Sequence, residues 1–289
     1  MTTAEQWIQG ARPRTLYAAI APVIVGTAFA GYNSSLLHFL LALSVALSLQ
    51  IGVNYANDYS DGIRGADGDR VGPIRLVGAG LATPSAVRNA AFLFLALATL
   101  SGAILSYRTS WILIPIGLIS IVAAWGYTAG PKPYGYRGLG EVSVFIFFGL
   151  VATNGTYFVH VQSLSSQVLL ASFALGALSC AILVLNNLRD LPRDFQVGKR
   201  TLAVVIGDAS SRDLYRWLIF FALVISAVLS LFSPYYLLAL LSAPLAVNSV
   251  RAVKAGASGV ELIDLLVKTG RIQIIYAAAL SLAALLVAR

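Results

Sequence analysis

The stretch that decides the fold is Thr15–Asn57, TLYAAIAPVIVGTAFAGYNSSLLHFLLALSVALSLQIGVNYAN, which has 43 residues and no Asp, Glu, Lys or Arg. A helix needs about 20 apolar residues to cross the hydrocarbon core of a bilayer, so this stretch is long enough for two crossings. The polar cluster Asn33–Ser35 divides it near its middle. We therefore predict two membrane-spanning helices joined by a short turn.

Five further runs without a charged residue follow along the chain, at Asn89–Tyr107, Thr109–Pro131, Val142–Leu188, Trp217–Val250 and Ile272–Ala288. The runs of 47 and 34 residues are each long enough for two helices, and they divide at Gln162–Gln167 and at Ser233–Pro234. The other three runs each fit one helix. The sequence thus predicts an all-α, polytopic membrane protein with nine transmembrane helices, folded as a single domain over residues 1–289.

The composition excludes several classes of protein. Of the 289 residues, 58% are hydrophobic and only 11% are charged, and the mean hydropathy is +0.81. Such values exclude a soluble cytosolic enzyme and a nucleic-acid-binding module, although the net charge is +8. The single cysteine, Cys180, excludes a disulfide scaffold.

The positive charge has a topological interpretation. If the N-terminus is cytoplasmic and the chain crosses nine times, 18 of the 20 Lys and Arg residues lie on the cytoplasmic side, and only Arg108 and Arg289 lie opposite. This asymmetry follows the positive-inside rule. We therefore predict an inner or plasma membrane protein with its N-terminus in the cytoplasm and its C-terminus on the other side.

Half of the acidic residues occur in two short segments, one at the end of the second predicted helix and one at the end of the sixth. They are Asp58, Asp61, Asp67 and Asp69 in the first segment, and Asp190 and Asp194 in the second. Four helices separate the segments, so both end on the cytoplasmic side. If the helices continue to these ends, Asn54, Asp58 and Asp61 share one helical face. Asn186, Asp190 and Asp194 have a similar spacing, although Pro192 can bend or end that helix.

Carboxylates crowded on one face need a compensating cation or neutralisation. Clusters of oxygen ligands without His or Cys are typical of Mg²⁺ or Mn²⁺ sites, and Mg²⁺ commonly binds one or two carboxylates together with substrate phosphates. Basic residues alternate with the acids in both segments: Arg64, Arg70, Arg75, Arg189, Arg193, Lys199 and Arg200. This pattern favours a metal-bridged diphosphate site. The alternative, that the arginines only obey the positive-inside rule, leaves the two matching Asn-x-x-x-Asp helix ends unexplained.

The two segments resemble the paired Asp-rich motifs of the UbiA superfamily of intramembrane prenyltransferases. Within it, four blocks in order are similar to the 1,4-dihydroxy-2-naphthoate polyprenyltransferases of menaquinone synthesis: Asn57–Arg75, Tyr127–Glu141, Asn186–Asp190 and Gly198–Ala203. The chain departs from the general Asn-Asp-x-x-Asp-x-x-x-Asp pattern because Gly65 stands at the last position. This departure leaves the roles of Asp67 and Asp69 open and favours the naphthoate branch.

The resemblance implies a ring of nine helices around a central cavity that is capped on the cytoplasmic side. It implies Mg²⁺ ions bound by Asp58, Asp61, Asp190 and Asp194, and a polyprenyl diphosphate as the donor. The implied acceptor is 1,4-dihydroxy-2-naphthoate, which would lose CO₂ to give a demethylmenaquinone. The bilayer holds the isoprenoid tail, and no nucleic acid is involved.

The resemblance and the charge pattern together give a set of candidate site residues. Lys132 is expected to assist catalysis by adding positive charge at the leaving diphosphate. Aromatic faces are expected to shield an allylic cation from water. The expected substrate-binding residues are Asn54, Asn57, Arg64, Asp67, Asn186, Asn187, Arg189, Arg137, Tyr134, Tyr127, Tyr157 and Arg12.

Two other functions remain open at this point. One is prenylation of a different aromatic acceptor, such as 4-hydroxybenzoate. The other is secondary transport, in which membrane carboxylates couple to ions near the bilayer midplane of inverted repeats. The transporter is less favoured, because the acidic clusters are predicted at helix ends and because an even number of helices separates them.

Overall fold

The structure is a computed structural model that describes residues 2–65, 74–130 and 132–288, and helices account for most of them. Asp67, Asp69 and Arg70 lie outside the described residues. The α-helices are α1 (Ala4–Gly10), α2 (Tyr17–Ala30), α3 (Leu36–Ile63), α4 (Pro84–Arg108), α5 (Leu113–Gly126), α6 (Gly140–Val144), α7 (Ala152–Val161), α8 (Ser166–Gln196), α9 (Leu202–Leu229), α10 (Ala243–Lys254) and α11 (Gly259–Val287).

Two irregular helices complete the architecture. A π-helix, Phe145–Val151, joins α6 to α7, and a 3₁₀ helix, Pro234–Ser242, runs directly into α10. Within the described residues, the only β pairing is an isolated parallel bridge between Arg137 and Arg200. The predicted all-α class is therefore confirmed.

Six helical segments are long and apolar enough to cross a membrane: Leu36–Ile63, Pro84–Arg108, Gly140–Val161, Ser166–Gln196, Pro234–Lys254 and Gly259–Val287. A bent pair, Ala4–Thr15 and Tyr17–Asn33, meets at 55° and would make a seventh. These counts refer to the described part of the chain. The predicted count of nine is not confirmed, because α5 has only 14 residues and α9 has charged residues along its first half.

The predicted breaks between paired helices are confirmed. α2 is followed by a 3₁₀ turn, Gly31–Asn33, and α3 begins at Leu36. α7 ends at Val161 before the polar segment, and α8 begins at Ser166. α9 ends at Leu229, shortly before the 3₁₀ helix that starts with Pro234.

The most buried helix is α8, and the largest core cluster joins it to α2, α9, α11 and the 3₁₀ helix before α10. Two polar pairs cross between helices inside this core. Gln273 of α11 donates to Ser179 of α8 at 2.8 Å, and Tyr215 of α9 bonds Thr269 of α11 at 2.8 Å. Because unpaired polar groups are costly inside a membrane protein, these bonds fix how α8, α9 and α11 pack.

Both acidic segments lie on continuous helices. α3 extends to Ile63, so Asn54, Asp58 and Asp61 are all helical. α8 continues through Pro192 to Gln196, so the expected break does not occur there. The residues of both Asn-x-x-x-Asp motifs therefore lie within helices, as their spacing predicts.

Candidate active site

A cavity of about 420 Å³ lies between α2, α3, α4, α5, α7 and α8 and the π-helix. Its wall consists mainly of aliphatic and small side chains, with Ala or Gly contributed by α2, α3, α4, α5 and α7. Four aromatic side chains also line it: Tyr127, Tyr134, Phe147 and Phe148. A volume of this order is typical of sites for small organic ligands, which span about 300–1,000 Å³. The cavity thus suits an apolar or aromatic ligand.

Six polar side chains of the cavity wall lie on the N-terminal segment or close along the chain to the acidic segments. They are Arg12, Thr15, Gln50, Asn54, Asn57 and Asn186. Asn54 and Asn57 precede Asp58 on α3, and Asn186 precedes Asp190 on α8. The cavity therefore reaches toward both acidic segments.

Asn54 anchors the N-terminal segment to α3. Its amide nitrogen donates to the Ala11 carbonyl at 2.8 Å and lies 3.2 Å from the Thr15 hydroxyl, which Gln50 also contacts at 3.0 Å. Between the anchored residues, Arg12 has a left-handed backbone (φ 54°), which is uncommon outside glycine. The anchor thus holds Arg12 in an unfavourable conformation at the cavity wall.

Asn57 presents an unsatisfied acceptor. Its Oδ1 is buried and has no hydrogen-bond partner in the described structure, and the residue lines the cavity. A buried acceptor without a donor costs about 1–3 kcal/mol. Such an atom beside a cavity marks a position where a ligand hydroxyl or amine can donate.

Asp58 is almost fully buried and binds the backbone that follows its own helix. Its Oδ2 accepts from the Leu76 N–H at 2.8 Å, and its Oδ1 accepts from the Val77 N–H at 3.0 Å. The carboxylate is not among the cavity-lining groups. In this structure it caps the segment 74–82 against α3.

Asp61, one turn later, is surrounded by donors. Arg75 lies 3.4 Å from its Oδ2, and the Lys199 ammonium lies 3.4 Å from both oxygens. The Tyr136 hydroxyl donates to Oδ1. Burial raises the pKa of the Tyr136 phenol, and the nearby Asp61 carboxylate raises this pKa further. The phenol therefore stays protonated at neutral pH and remains a donor.

The second acidic segment meets the first. Asp190 forms a two-point pair with Arg189, with both nitrogen-to-oxygen distances at 2.8 Å. Arg193 reaches the Gly65 carbonyl at 3.5 Å. After α8, Gly198 adopts a left-handed conformation (φ 73°), and the Lys199 N–H donates to the Asp194 carbonyl. This turn directs Lys199 back toward Asp61. The two segments are thus adjacent on one side of the molecule.

The loop after α5 crosses both segments. Arg64 donates to the carbonyls of Thr128 and Gly130, at 2.8 and 2.5 Å. Farther along the loop, Arg137 pairs with Arg200 through the backbone, and its side chain is exposed. Lys132 is also exposed, and no side-chain contact to it is found within the described ranges. The structure therefore brings Arg64 into the cluster but leaves Lys132 and the Arg137 side chain outside it.

Two candidate residues have other surroundings than the prediction implied. Asn187 donates to the buried Glu141 at 2.9 Å and so binds α6. Tyr157 does not line the cavity. On α7 the lining residues Ala152, Gly155 and Val159 share one face, whereas Tyr157 lies on the opposite face, where Gly26 of α2 packs closely against its backbone. Phe147 and Phe148 of the π-helix also line the cavity, and the sequence did not predict this role for them.

The site residues suit the magnesium ion that the acidic motifs imply. Asp61, Asp190 and Asp194 offer only oxygen ligands, which is the donor chemistry that Mg²⁺ requires. Within the described ranges, no group of three or more His, Cys, Asp or Glu side chains is close enough to hold a metal. Mg²⁺ needs no such group when substrate phosphates supply further oxygens. The residues therefore fit a metal that binds together with a diphosphate.

Four residues at the site were not predicted as site residues: Tyr136, Lys199, Arg75 and Glu141. Arg75 and Lys199 were recognisable only as members of basic clusters. Tyr136 and Glu141 belong to the block Tyr127–Glu141, but loop aromatics and single acids are common in membrane proteins. What singles them out is contact with Asp61 or Asn187, and these contacts join residues far apart in the chain.

Fold and site together define a polytopic helical membrane protein with a largely apolar chamber beside a cluster of carboxylates and cations. The sequence profile of the UbiA prenyltransferase family matches residues 19–258. The chain belongs to this family.

Relatives agree with this assignment. A protein of Mycobacterium tuberculosis named 1,4-dihydroxy-2-naphthoate octaprenyltransferase is 50% identical over 283 residues, which cover 97% of each chain. The Escherichia coli protein of the same name is 38% identical over 88% of this chain and 86% of its own length. A UbiA homologue from Archaeoglobus fulgidus, solved with DMAPP and Mg²⁺, superposes with a TM-score of 0.68 at 15% identity, covering 98% of this chain and 99% of that chain. This last likeness concerns the fold alone.

Proposed function

We propose that this protein transfers a polyprenyl group from polyprenyl diphosphate to 1,4-dihydroxy-2-naphthoate, with loss of CO₂, to give diphosphate and the quinol form of demethylmenaquinone, which a separate two-electron oxidation converts to the quinone. The observation that carries the proposal is 50% identity, over 97% of both chains, to a relative that is named for this reaction. The apolar cavity beside two acidic, cation-rich segments supports it. The enzyme is an intramembrane aromatic prenyltransferase.

The diphosphate of the donor binds where the two acidic segments meet. Lys199, Arg75 and Arg189 provide positive charge there, each already held by a carboxylate. Asp61, Asp190 and Asp194 would hold Mg²⁺, and the family homologue solved with DMAPP and Mg²⁺ supports this choice of ion. When bound, the metal supplies Lewis-acid stabilisation of the negative charge that develops on the departing diphosphate. Asp58, which the family resemblance implied as a fourth metal ligand, instead keeps the segment 74–82, and with it Arg75, in position, because backbone N–H groups bind both of its oxygens.

The prenyl group and the acceptor react inside the cavity. The allylic C1–O bond breaks and the diphosphate leaves with its electron pair. A ring carbon of the acceptor forms the new C–C bond, the bond to the carboxylate breaks, and its electron pair returns to the ring as CO₂ departs. No strong protein base is required. Tyr127, Tyr134, Phe147 and Phe148 exclude water and face the developing cation.

The acceptor is oriented by the polar part of the cavity wall. The Asn57 Oδ1, which lacks a donor in the described structure, accepts from a naphthalenediol hydroxyl. The Arg12 guanidinium binds the acceptor carboxylate until CO₂ is lost, and the Asn54 anchor holds Arg12 at the cavity. The exposed, cavity-lining side chains of α5 (Ile114, Ile116 and Leu118) mark the side on which the long tail leaves toward lipid.

The chain crosses the membrane nine times, with α5 and α9 among the crossings. The N-terminus and both acidic segments lie in or at the cytoplasm, and the C-terminus lies on the opposite side. The positive-inside distribution of Lys and Arg supports this arrangement.

Purified protein tests the proposal directly. Detergent-solubilised enzyme is incubated with one labelled prenyl diphosphate and a panel of aromatic acids, with and without Mg²⁺. We expect prenylation of the naphthoate with release of CO₂ only in the presence of Mg²⁺. Prenylation of 4-hydroxybenzoate with its carboxylate retained would assign another acceptor. Ion-coupled flux in sealed vesicles without any chemistry would assign a transporter.

A further inference from the structure

Arg64 and Lys199 belong to segments far apart in the chain, yet both contact the ring of Tyr136. The Lys199 ammonium lies 4.7 Å from the ring centroid, and the Arg64 guanidinium lies 5.2 Å from it. Two cations held close together repel each other, so a shared partner is needed to keep both in place. An aromatic ring attracts a cation within about 6 Å of its centroid. Tyr136 is thus a common partner of one cation from each acidic segment.

The ring cannot easily turn away from these cations. Its hydroxyl donates to the buried carboxylate of Asp61. The 3₁₀ turn Tyr134–Tyr136 is fixed at Gly135, whose N–H donates to the Tyr127 carbonyl at 2.9 Å. A Cβ at Gly135 would lie 2.6 Å from that carbonyl oxygen, so the approach is close. The backbone bridge between Arg137 and Arg200 joins the same turn to the residue after Lys199.

We infer that Tyr136 is a positioning residue for the diphosphate of the donor: its ring sets Lys199 and Arg64 at the place where α3 and α8 end. The inference rests on the proposed function only in that the substrate is a prenyl diphosphate, and it does not depend on the acceptor. The ring and the hydroxyl have separate roles. The ring orders the two cations, and the hydroxyl orients the ring through Asp61.

The test is diphosphate binding without turnover. Inorganic diphosphate with Mg²⁺ competes against a labelled, non-hydrolysable prenyl diphosphate on the detergent-solubilised full chain. Tyr136→Leu, which removes ring and hydroxyl, is expected to weaken diphosphate binding about tenfold or more, because two cation–ring contacts are lost. Tyr136→Phe keeps the ring and is expected to stay within about threefold of the wild type. Tyr32→Leu, at an 84% exposed tyrosine, is the matched control and should bind like the wild type.

Steady-state kinetics give a second readout. With Tyr136→Leu, the KM for the prenyl diphosphate should rise while the KM for the acceptor stays unchanged. A general loss of structure would raise both or reduce kcat alone. The inference is overturned if Tyr136→Leu binds diphosphate within twofold of the wild type, or if Tyr136→Phe loses as much affinity as Tyr136→Leu.

A shape-preserving series keeps the inference testable if Tyr136→Leu does not fold. Phenylalanine with one, two and three ring fluorines at position 136 progressively weakens the negative ring face at almost constant volume. Diphosphate affinity should fall stepwise along the series, and a flat series overturns the inference. A wild-type protein that binds diphosphate but ignores the naphthoate contradicts the proposed acceptor while leaving the role of Tyr136 intact.

Discussion

Asp58 and Asp61 stand one turn apart on α3 and have different partners. Asp58 accepts two backbone N–H groups, from Leu76 and Val77, whereas Asp61 contacts three side chains, those of Arg75, Tyr136 and Lys199. The spacing of carboxylates in an apolar chain was sufficient to single out both positions as candidate site residues. It could not predict the difference, because the partners come from loops whose path depends on the tertiary structure.

Asp58→Asn should mainly reduce stability. The amide offers one oxygen where the carboxylate offers two, so one of the Leu76 and Val77 N–H groups would face an NH₂ group. Losing a buried, charge-assisted hydrogen bond costs about 1.5–3 kcal/mol. We expect a lower thermal midpoint in detergent and, because Arg75 loses its support, reduced turnover. An unchanged midpoint would show that Asp58 does not hold this segment.

Asp190→Asn should mainly reduce turnover. Asp190 is part-buried, and its pair with Arg189 is a contact between neighbours within one helix end. We expect a fall in kcat on the order of 100-fold or more, because a ligand for Mg²⁺ is lost at the developing diphosphate charge, with the thermal midpoint unchanged. Near-normal kcat at saturating Mg²⁺ would remove Asp190 from the metal site.

The π-helix and α8 pack closely against each other. Gly149 of the π-helix lies against Gly176 of α8 so closely that a Cβ at Gly149 would be 2.6 Å from the Gly176 Cα. π-helical turns are rare in proteins overall, but those that occur are often found at functional sites. Here the turn places Phe147 and Phe148 at the cavity wall while Gly149 packs against α8.

Gly149→Ala should therefore destabilise the protein by about 1–3 kcal/mol, the usual cost of overpacking. Gly155→Ala is the matched control, because a Cβ at Gly155 meets no atom within 4 Å. Thermal unfolding in detergent compares the two variants. Equal thermal midpoints for Gly149→Ala and Gly155→Ala would contradict this prediction, because they would show that α8 and the π-helix can move apart without loss of stability.

The cavity owes its volume to small residues on several helices, among them Gly102 of α4. A Cβ at Gly102 meets only Val45, at 3.9 Å, so a larger side chain there would extend into the cavity. Gly102→Leu should shift kcat/KM on the order of tenfold in favour of short prenyl diphosphates over long ones. Leu100→Phe, on the exposed face of α4, should leave the preference unchanged. An unaltered preference in Gly102→Leu would place the tail elsewhere.

At the level of secondary-structure elements, the sequence was most informative about where the helices end. Polar and helix-breaking clusters stand where the structure ends α2, α7 and α9, since such residues cannot continue a helix through lipid. It was least informative about which helix face lines the cavity. Tyr157 shows this, because its depth fits the predicted role but its direction on α7 does not.

For the whole molecule, the number of crossings depends on α5 and α9, and a crossing by α9 is open to a direct test. Its residues after Arg216 are uncharged, but Asp208, Arg212, Asp213 and Arg216 lie before them, so length and composition alone do not mark it as a span. The positive-inside rule predicts that α9 crosses, since otherwise the Lys and Arg residues after it would change sides. Ser163 and Ala255 are exposed positions on either side of α8, α9 and the helical segment Pro234–Lys254.

Cysteine labelling at these two positions counts the crossings between them. Ser163→Cys and Ala255→Cys are treated with a membrane-impermeant maleimide in right-side-out and inverted vesicles, and a permeant maleimide serves as the control. The native Cys180 is 3% exposed and should give little background. Three crossings place the two cysteines on opposite sides, so Ser163→Cys should react only from outside and Ala255→Cys only from the cytoplasmic face. If α9 does not cross, both react from one side, and the nine-helix topology fails together with the cytoplasmic placement of the basic residues.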